Sequence, residues 1–145
     1  MSSADLRVRR FQRDDTERVV ALWRACGLVV PWNDPHLDIA RKVAEQPDLF
    51  LVGEDDGLLV ASVMVGYDGH RGWMNYLAVD PAAQGRGHGR ALVAEAERML
   101  TERGCPKLNL QVRGSNASAI GFYEAIGYAV DDTVSLGKRL IPDVP

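Results

Sequence analysis

The chain has 145 residues, 46% hydrophobic and 26% charged, with a formal net charge of −3 at pH 7 and a pI near 5.6. That length accommodates one domain with a sizeable core, and the charge balance does not suggest a basic face for nucleic acid. No apolar run approaches the ~18 residues of a membrane span, the opening MSSADLRVRRFQRDD lacks the apolar core of a secretion signal, and Cys26 and Cys105 read as free thiols of a reducing cytoplasm.

Residues 6–11 (LRVRRF) alternate apolar and basic side chains, the period of a strand. Asp14 is placed to cap a helix whose apolar stripe is Val19, Leu22, Trp23 and Cys26 and which ends at Gly27. Asp34 reads as an N-cap and Pro35 as the first residue of a second helix, which runs to about Gln46 and is stopped by Pro47. Strands are expected over 49–54 and 58–67, joined by the hairpin turn DDG, and over 73–79 after the turn DGHRG. A helix from about 86 to 103 carries Leu92, Val93, Ala96, Met99 and Leu100 on its apolar face, and Gly104 and Pro106 end it. With a strand over 107–112, the order strand, helix, strand implies a right-handed crossover and parallel pairing. Ser115 or Asn116 then caps a short helix through Ile126, closed by Gly127, and two strand-like pieces follow near 128–130 and 133–140. The sum is an α/β chain: a mixed, mostly antiparallel sheet with one parallel step in its middle, in a single domain over 1–145.

Chemistry concentrates in VDPAAQGRGHGRAL, where Gly85, Gly87 and Gly89 crowd the junction of a strand and a helix. A helix start offers unpaired N–H groups and a partial positive charge, and bare backbone lets them approach an anion closely. Arg86 and Arg90 add charge. A P-loop needs Gly-Lys-Ser/Thr at the end of the run, where this chain has Gly89-Arg90-Ala91. A dinucleotide fingerprint needs a glycine at position 90.

The segment resembles the acetyl-CoA signature of the GNAT acetyltransferases, Gln/Arg-x-x-Gly-x-Gly/Ala, through Gln84, Gly87 and Gly89. SNASAIGFYEAIGY (residues 115–128) resembles that family's second motif, and is similar in particular to the ribosomal-protein N-terminal acetyltransferases. PWNDP, GYDGHRG, RGCPK and SLGKRLI look like a small bacterial branch, the YpeA type.

The resemblance implies a GNAT fold with about four helices and a central parallel strand pair that splays apart around the pantetheine arm of acetyl-CoA. It implies that backbone of Leu77, Ala78 and Val79 serves that arm. Gln84 and the N–H groups of Gly85, Arg86, Gly87, His88, Gly89 and Arg90 are assigned to the pyrophosphate. Asn116 is assigned to the pantetheine amides, and Tyr123 to the role of general acid. Phe122 is expected in the core.

Acetyl-CoA is thus the expected cosubstrate, a small amine or peptide amine the expected acceptor, and no metal is required. His36, His70 and His88 lack metal-ligand spacing. A homodimer is admitted, while nucleic acid and membrane partners are not expected.

One position departs from the pattern. The similar N-terminal acetyltransferases carry Glu where this chain has Gln111, and Gln cannot take a proton at neutral pH. A lysine amine (pKa ~10.4) is almost wholly protonated there, whereas an α-amine (pKa ~7.7–8.0) is partly neutral. Gln111 therefore favours a low-pKa amine, or a weak enzyme. Asp34, Asp38, Asp68, His70 and Trp32 lie where the family places its acceptor, although a cap, a turn and a solvated loop account for Asp34, Asp68 and His70 more simply. Two alternatives accompany the enzyme reading: a protein N-terminal acetyltransferase, and an acyl-CoA-binding regulatory module with lapsed catalysis.

Overall fold

The tight turn between the first two long strands shows how local sequence fixes the sheet. Asp56 and Gly57 both take left-handed backbone (φ 52° and 78°), the conformation that a two-residue hairpin of the right twist demands. They join β2 (Phe50–Asp55) to β3 (Leu58–Tyr67) in a computed structural model that describes residues 6–144. Residues 1–5 and 145, which the single-domain reading includes, lie outside the described residues.

With β1 (Arg7–Arg10), β4 (Gly72–Val79) and β5 (Leu108–Leu110) the sheet runs β1-β2-β3-β4-β5. Every neighbouring pair is antiparallel except β4 and β5. The helices are α1 (Thr16–Ala25), α2 (Pro35–Glu45), α3 (His88–Glu102) and α4 (Ala117–Ala125).

Strand alternation sorts the core into two layers. Leu51, Val63, Val65 and Met74 meet Leu92, Val93, Ala96 and Leu100 of α3. Phe50, Val52, Met64 and Ala78, on the other face, meet Val19, Val20, Leu22 and Trp23 of α1 and Ile39 of α2. Each large apolar side chain so buried contributes about 1.5–3 kcal/mol.

The α2 start is as expected: Asp34 accepts the His36 N–H at 2.9 Å and Pro35 opens the helix. The α1 start is not. Asp14 is exposed in a 3-10 turn, Arg13–Asp15, and its neighbour Asp15 is the buried residue. Asp15 binds Arg9 of β1 through both carboxylate oxygens at 2.8 Å and also accepts the Gln12 N–H at 2.8 Å. A carboxylate here ties β1 to α1 instead of capping a free helix end.

Two further expectations are corrected together. Residues 128–144 form no strand, so β5 ends the sheet and the parallel step lies at an edge, not in the middle. The tail is held by side chains. Lys107 pairs with Asp131, Gln111 bonds Ser135, and Asp143 receives Arg41 and the Asp34 N–H. Its apolar residues Val130, Val134, Leu136 and Leu140 stay exposed. Alternation alone registers a strand pattern there, but no ladder partner is reached.

Candidate functional site

The glycine segment leaves β4 through a short turn (Pro81–Ala83) capped by Asp80 and enters α3. Gly85 (φ 82°) and Gly87 (φ 80°) are left-handed, and Gly87 is the helix N-cap. The three glycines are not equivalent. Gly89 is not left-handed, and a Cβ there would meet Phe122 Cζ at 3.4 Å and Val79 Cγ2 at 3.6 Å, ordinary contact against α4 and β4. Among the described residues, no protein acceptor takes the N–H groups of Gly85 through Arg90. Six backbone donors at the positive end of a fifteen-residue helix therefore stand ready for an anion.

Arg86 and Arg90 are exposed beside them. The His88 side chain is buried beneath, with Nε2 3.0 Å from Asp55 Oδ2 and Nδ1 without a partner among the described residues. Only its backbone N–H belongs to the donor row. Asp55 also receives Arg86 at 3.2 Å. Its carboxyl is held below the ordinary range, first by His88 and then by Arg86.

Next to this row the sheet opens. The β4–β5 ladder covers only Gly72↔Leu108, Trp73↔Asn109 and Met74↔Leu110. Beyond Met74, β4 continues to Val79 without a β5 partner. A cleft of about 730 Å³ lies there, walled by Asn75, Tyr76 and Leu77 of β4, Leu110 and Gln111 at the end of β5, and Asn116 and Tyr123 at α4.

Leu77 and Ala78 sit on the parted stretch, with Ala78 buried beneath α1. The Val79 carbonyl already accepts Cys26 Sγ and Gln84 Nε2, each at 3.2 Å. Asn116 caps α4, accepting the Ala119 N–H at 3.1 Å through Oδ1. Its amide nitrogen is not part of that cap.

Tyr123 stands edge-on to Phe122 and to Tyr128, with ring centroids 5.0 and 5.7 Å away. Its hydroxyl forms no bond to protein among the described residues, and burial pushes the phenol above its ordinary value. Phe122 packs against the α3 core, as expected.

A bulge in β4 carries the feature the sequence reading missed. The β3–β4 register slips between Ser62 and Met64, and Tyr76 takes φ 54°, rare for a residue with a side chain. The bulge is clamped. Trp23 Nε1 donates to Ser62 Oγ at 2.9 Å, Ser62 donates to the Tyr76 carbonyl at 3.0 Å, and the Trp23 and Tyr76 rings stack at 3.8 Å. The Tyr76 hydroxyl donates to Asp38 Oδ2 at 2.7 Å across the cleft wall. Burial, then Asp38, pushes the Tyr76 phenol well up.

The structure separates the other candidates. Asp34 is the α2 cap. Asp68 accepts the N–H groups of His70 and Arg71 within its own turn and the Trp73 indole at 3.3 Å, and His70 is an exposed loop residue. None of these three lines the cleft, whereas Trp32, Asp38 and Gln111 do. No spacing signal links Tyr76 to Asp38; only the β4 bulge and the placement of α2 bring them together.

A family model described as acetyltransferase (GNAT) family matches residues 11–128. An acetyltransferase of Yersinia pseudotuberculosis is 53% identical over 138 residues, covering 95% of this chain and 98% of the relative. Among solved structures, Ard1 from Thermoplasma volcanium shares the fold with a TM-score of 0.75 at 23% identity, covering 88% of this chain and 84% of that one. The ribosomal-protein-S18-alanine N-acetyltransferase from Escherichia coli does so with a TM-score of 0.70 at 24% identity, covering 84% and 76%.

Proposed function

Because the chain belongs to the GNAT family of acetyl-CoA-dependent acyltransferases, we propose that its glycine segment and β4–β5 gap bind acetyl-CoA and deliver the acetyl group directly to a primary amine. The observation that carries this reading is the row of unbonded N–H groups at the start of α3, opening beside a parted strand pair with Tyr123 on the far wall. The row fits a pyrophosphate, which spreads negative charge over several oxygens. The free β4 edge from Asn75 onward fits an extended amide-bearing arm, which would pair with it as a strand does. Asn116 supplies a side-chain amide to that arm.

Tyr123 is the group that meets the departing sulfur. A thiol has a pKa of ~8.5 and a phenol ~10, so a phenol kept protonated by burial donates to a thiolate as negative charge develops there. The unpaired thiols Cys26 and Cys105 fit a reducing, cytoplasmic setting. A single domain over 1–145 fits two core layers built on one sheet.

The test is release of CoA thiol from acetyl-CoA in the presence of a panel of small amines and short peptides. Amine-dependent release is expected; none with any amine overturns the reading. The pyrophosphate assignment has its own measurement. Titration calorimetry should show binding of CoA but not of pantetheine, which lacks the nucleotide diphosphate. Gly87→Val, folded as judged by circular dichroism, should weaken CoA binding at least about tenfold, or ~1.4 kcal/mol. Equal affinity of wild type for CoA and pantetheine would move the nucleotide elsewhere.

A further inference from the structure

Resting on the acetyl-transfer reading above, we infer that Asp38 takes the proton of the acceptor amine and that Tyr76 is its positioning residue. An amine that arrives as ammonium cannot attack a thioester until it loses a proton. The polar groups nearest the strand gap cannot accept it. Gln111 and Asn75 are amides, and the Tyr76 phenol, pushed up by burial and by Asp38, is a donor. Among the described residues lining the cleft, Asp38 is the one carboxylate.

The carboxylate is fixed and still open. Tyr76 donates to Oδ2 at 2.7 Å, and Arg41, from the same helix, approaches Oδ1 at 3.3 Å. Two donors on a group with about four lone-pair sites leave room for an ammonium. The surrounding charges are Arg41 on α2, Arg113 on the cleft wall, and Asp143 and Arg139 of the tail; Asp143 pairs with both Arg41 and Arg139. The Tyr76 end of the tether is rigid, because its backbone bulge is clamped by Trp23 and Ser62.

The protons balance as follows. One leaves the ammonium for Asp38 and passes to solvent. The freed nitrogen lone pair forms the N–C bond to the acetyl carbon, and the C–S bond breaks with its electron pair on sulfur. Sulfur takes the Tyr123 proton, and the second nitrogen proton restores Tyr123 through solvent. The products are the amide, CoA thiol and one proton.

Two probe acceptors that differ by one methylene test this. Benzylamine is almost wholly protonated at pH 7, and aniline is neutral. Asp38→Asn keeps an oxygen for Tyr76 and should lower kcat/KM for benzylamine at least about tenfold while changing that for aniline less than about threefold. The loss for benzylamine should shrink as pH rises and the free amine becomes abundant. Tyr76→Phe, which keeps the carboxylate and removes its tether, should lower benzylamine turnover severalfold and spare aniline.

Equal losses for the two amines in both variants would make the pair structural and overturn the inference. So would a rise in KM for benzylamine with kcat unchanged, which would make Asp38 a docking group only. If wild type acetylates neither probe nor any amine of the panel, the acetyl-transfer reading itself falls.

Discussion

Tyr123→Phe is expected to lower kcat about a hundredfold or more while leaving the Kd for acetyl-CoA nearly unchanged. Among the described residues the hydroxyl has no protein partner to lose, so its removal costs the resting enzyme little. The ring keeps its edge contacts with Phe122 and Tyr128. What disappears is an interaction made only as charge develops on sulfur, and such a loss falls on kcat and kcat/KM together. Burial holds the phenol above its ordinary ~10, so no basic limb from Tyr123 should appear below about pH 10. Stopped-flow thiol release, under conditions where chemistry limits the rate, makes the comparison. Wild-type kcat in the variant would reduce Tyr123 to a packing residue.

The largest effect on stability is expected at Asp15. Its side chain is buried, and it is bonded to Arg9 through both oxygens, to Arg18 and to the Gln12 N–H. Asp15→Asn leaves Arg9 in a partly buried position with Glu54 as its remaining carboxylate. Breaking a buried pair by removing one partner costs about 3–5 kcal/mol, or roughly 10 °C in Tm for a chain of this size.

The pH dependence has a definite sign. Arg9 chiefly, with help from the Gln12 N–H and Arg18, holds the Asp15 carboxyl below its ordinary value in the folded chain. The stabilisation is therefore complete above the unfolded value of ~3.9 and is lost as pH falls through the folded one. Urea midpoints measured between pH 7 and pH 3 should fall steeply for wild type and less for the variant. Parallel curves would show that another carboxylate governs acid unfolding.

Legibility in the sequence followed the range of the interactions. The β2–β3 hairpin, the α2 cap at Asp34 and the entry to α3 each rest on neighbours within a few residues, and each forms where local chemistry puts it. Of the two aspartates beside each other, local rules favoured Asp14 as a cap, but a contact with Arg9 on a strand decided for Asp15. The tail carried alternating apolar residues, and no rule of spacing says whether a ladder partner is within reach. The site divided in the same way. Donors from one loop were readable as a motif. The Tyr76–Asp38 bond spans 38 residues and depends on a bulge that no local pattern announces.

The backbone at Tyr76 has a consequence for how such a chain tolerates change. A left-handed φ is relaxed for glycine and strained for tyrosine, so glycine at position 76 would ease the local backbone. It would also remove the ring that stacks on Trp23 and the hydroxyl that reaches Asp38. The packing of the ring on Trp23 thus outweighs the strain in the backbone, so selection for heat resistance and selection for turnover should both keep an aromatic side chain at this position.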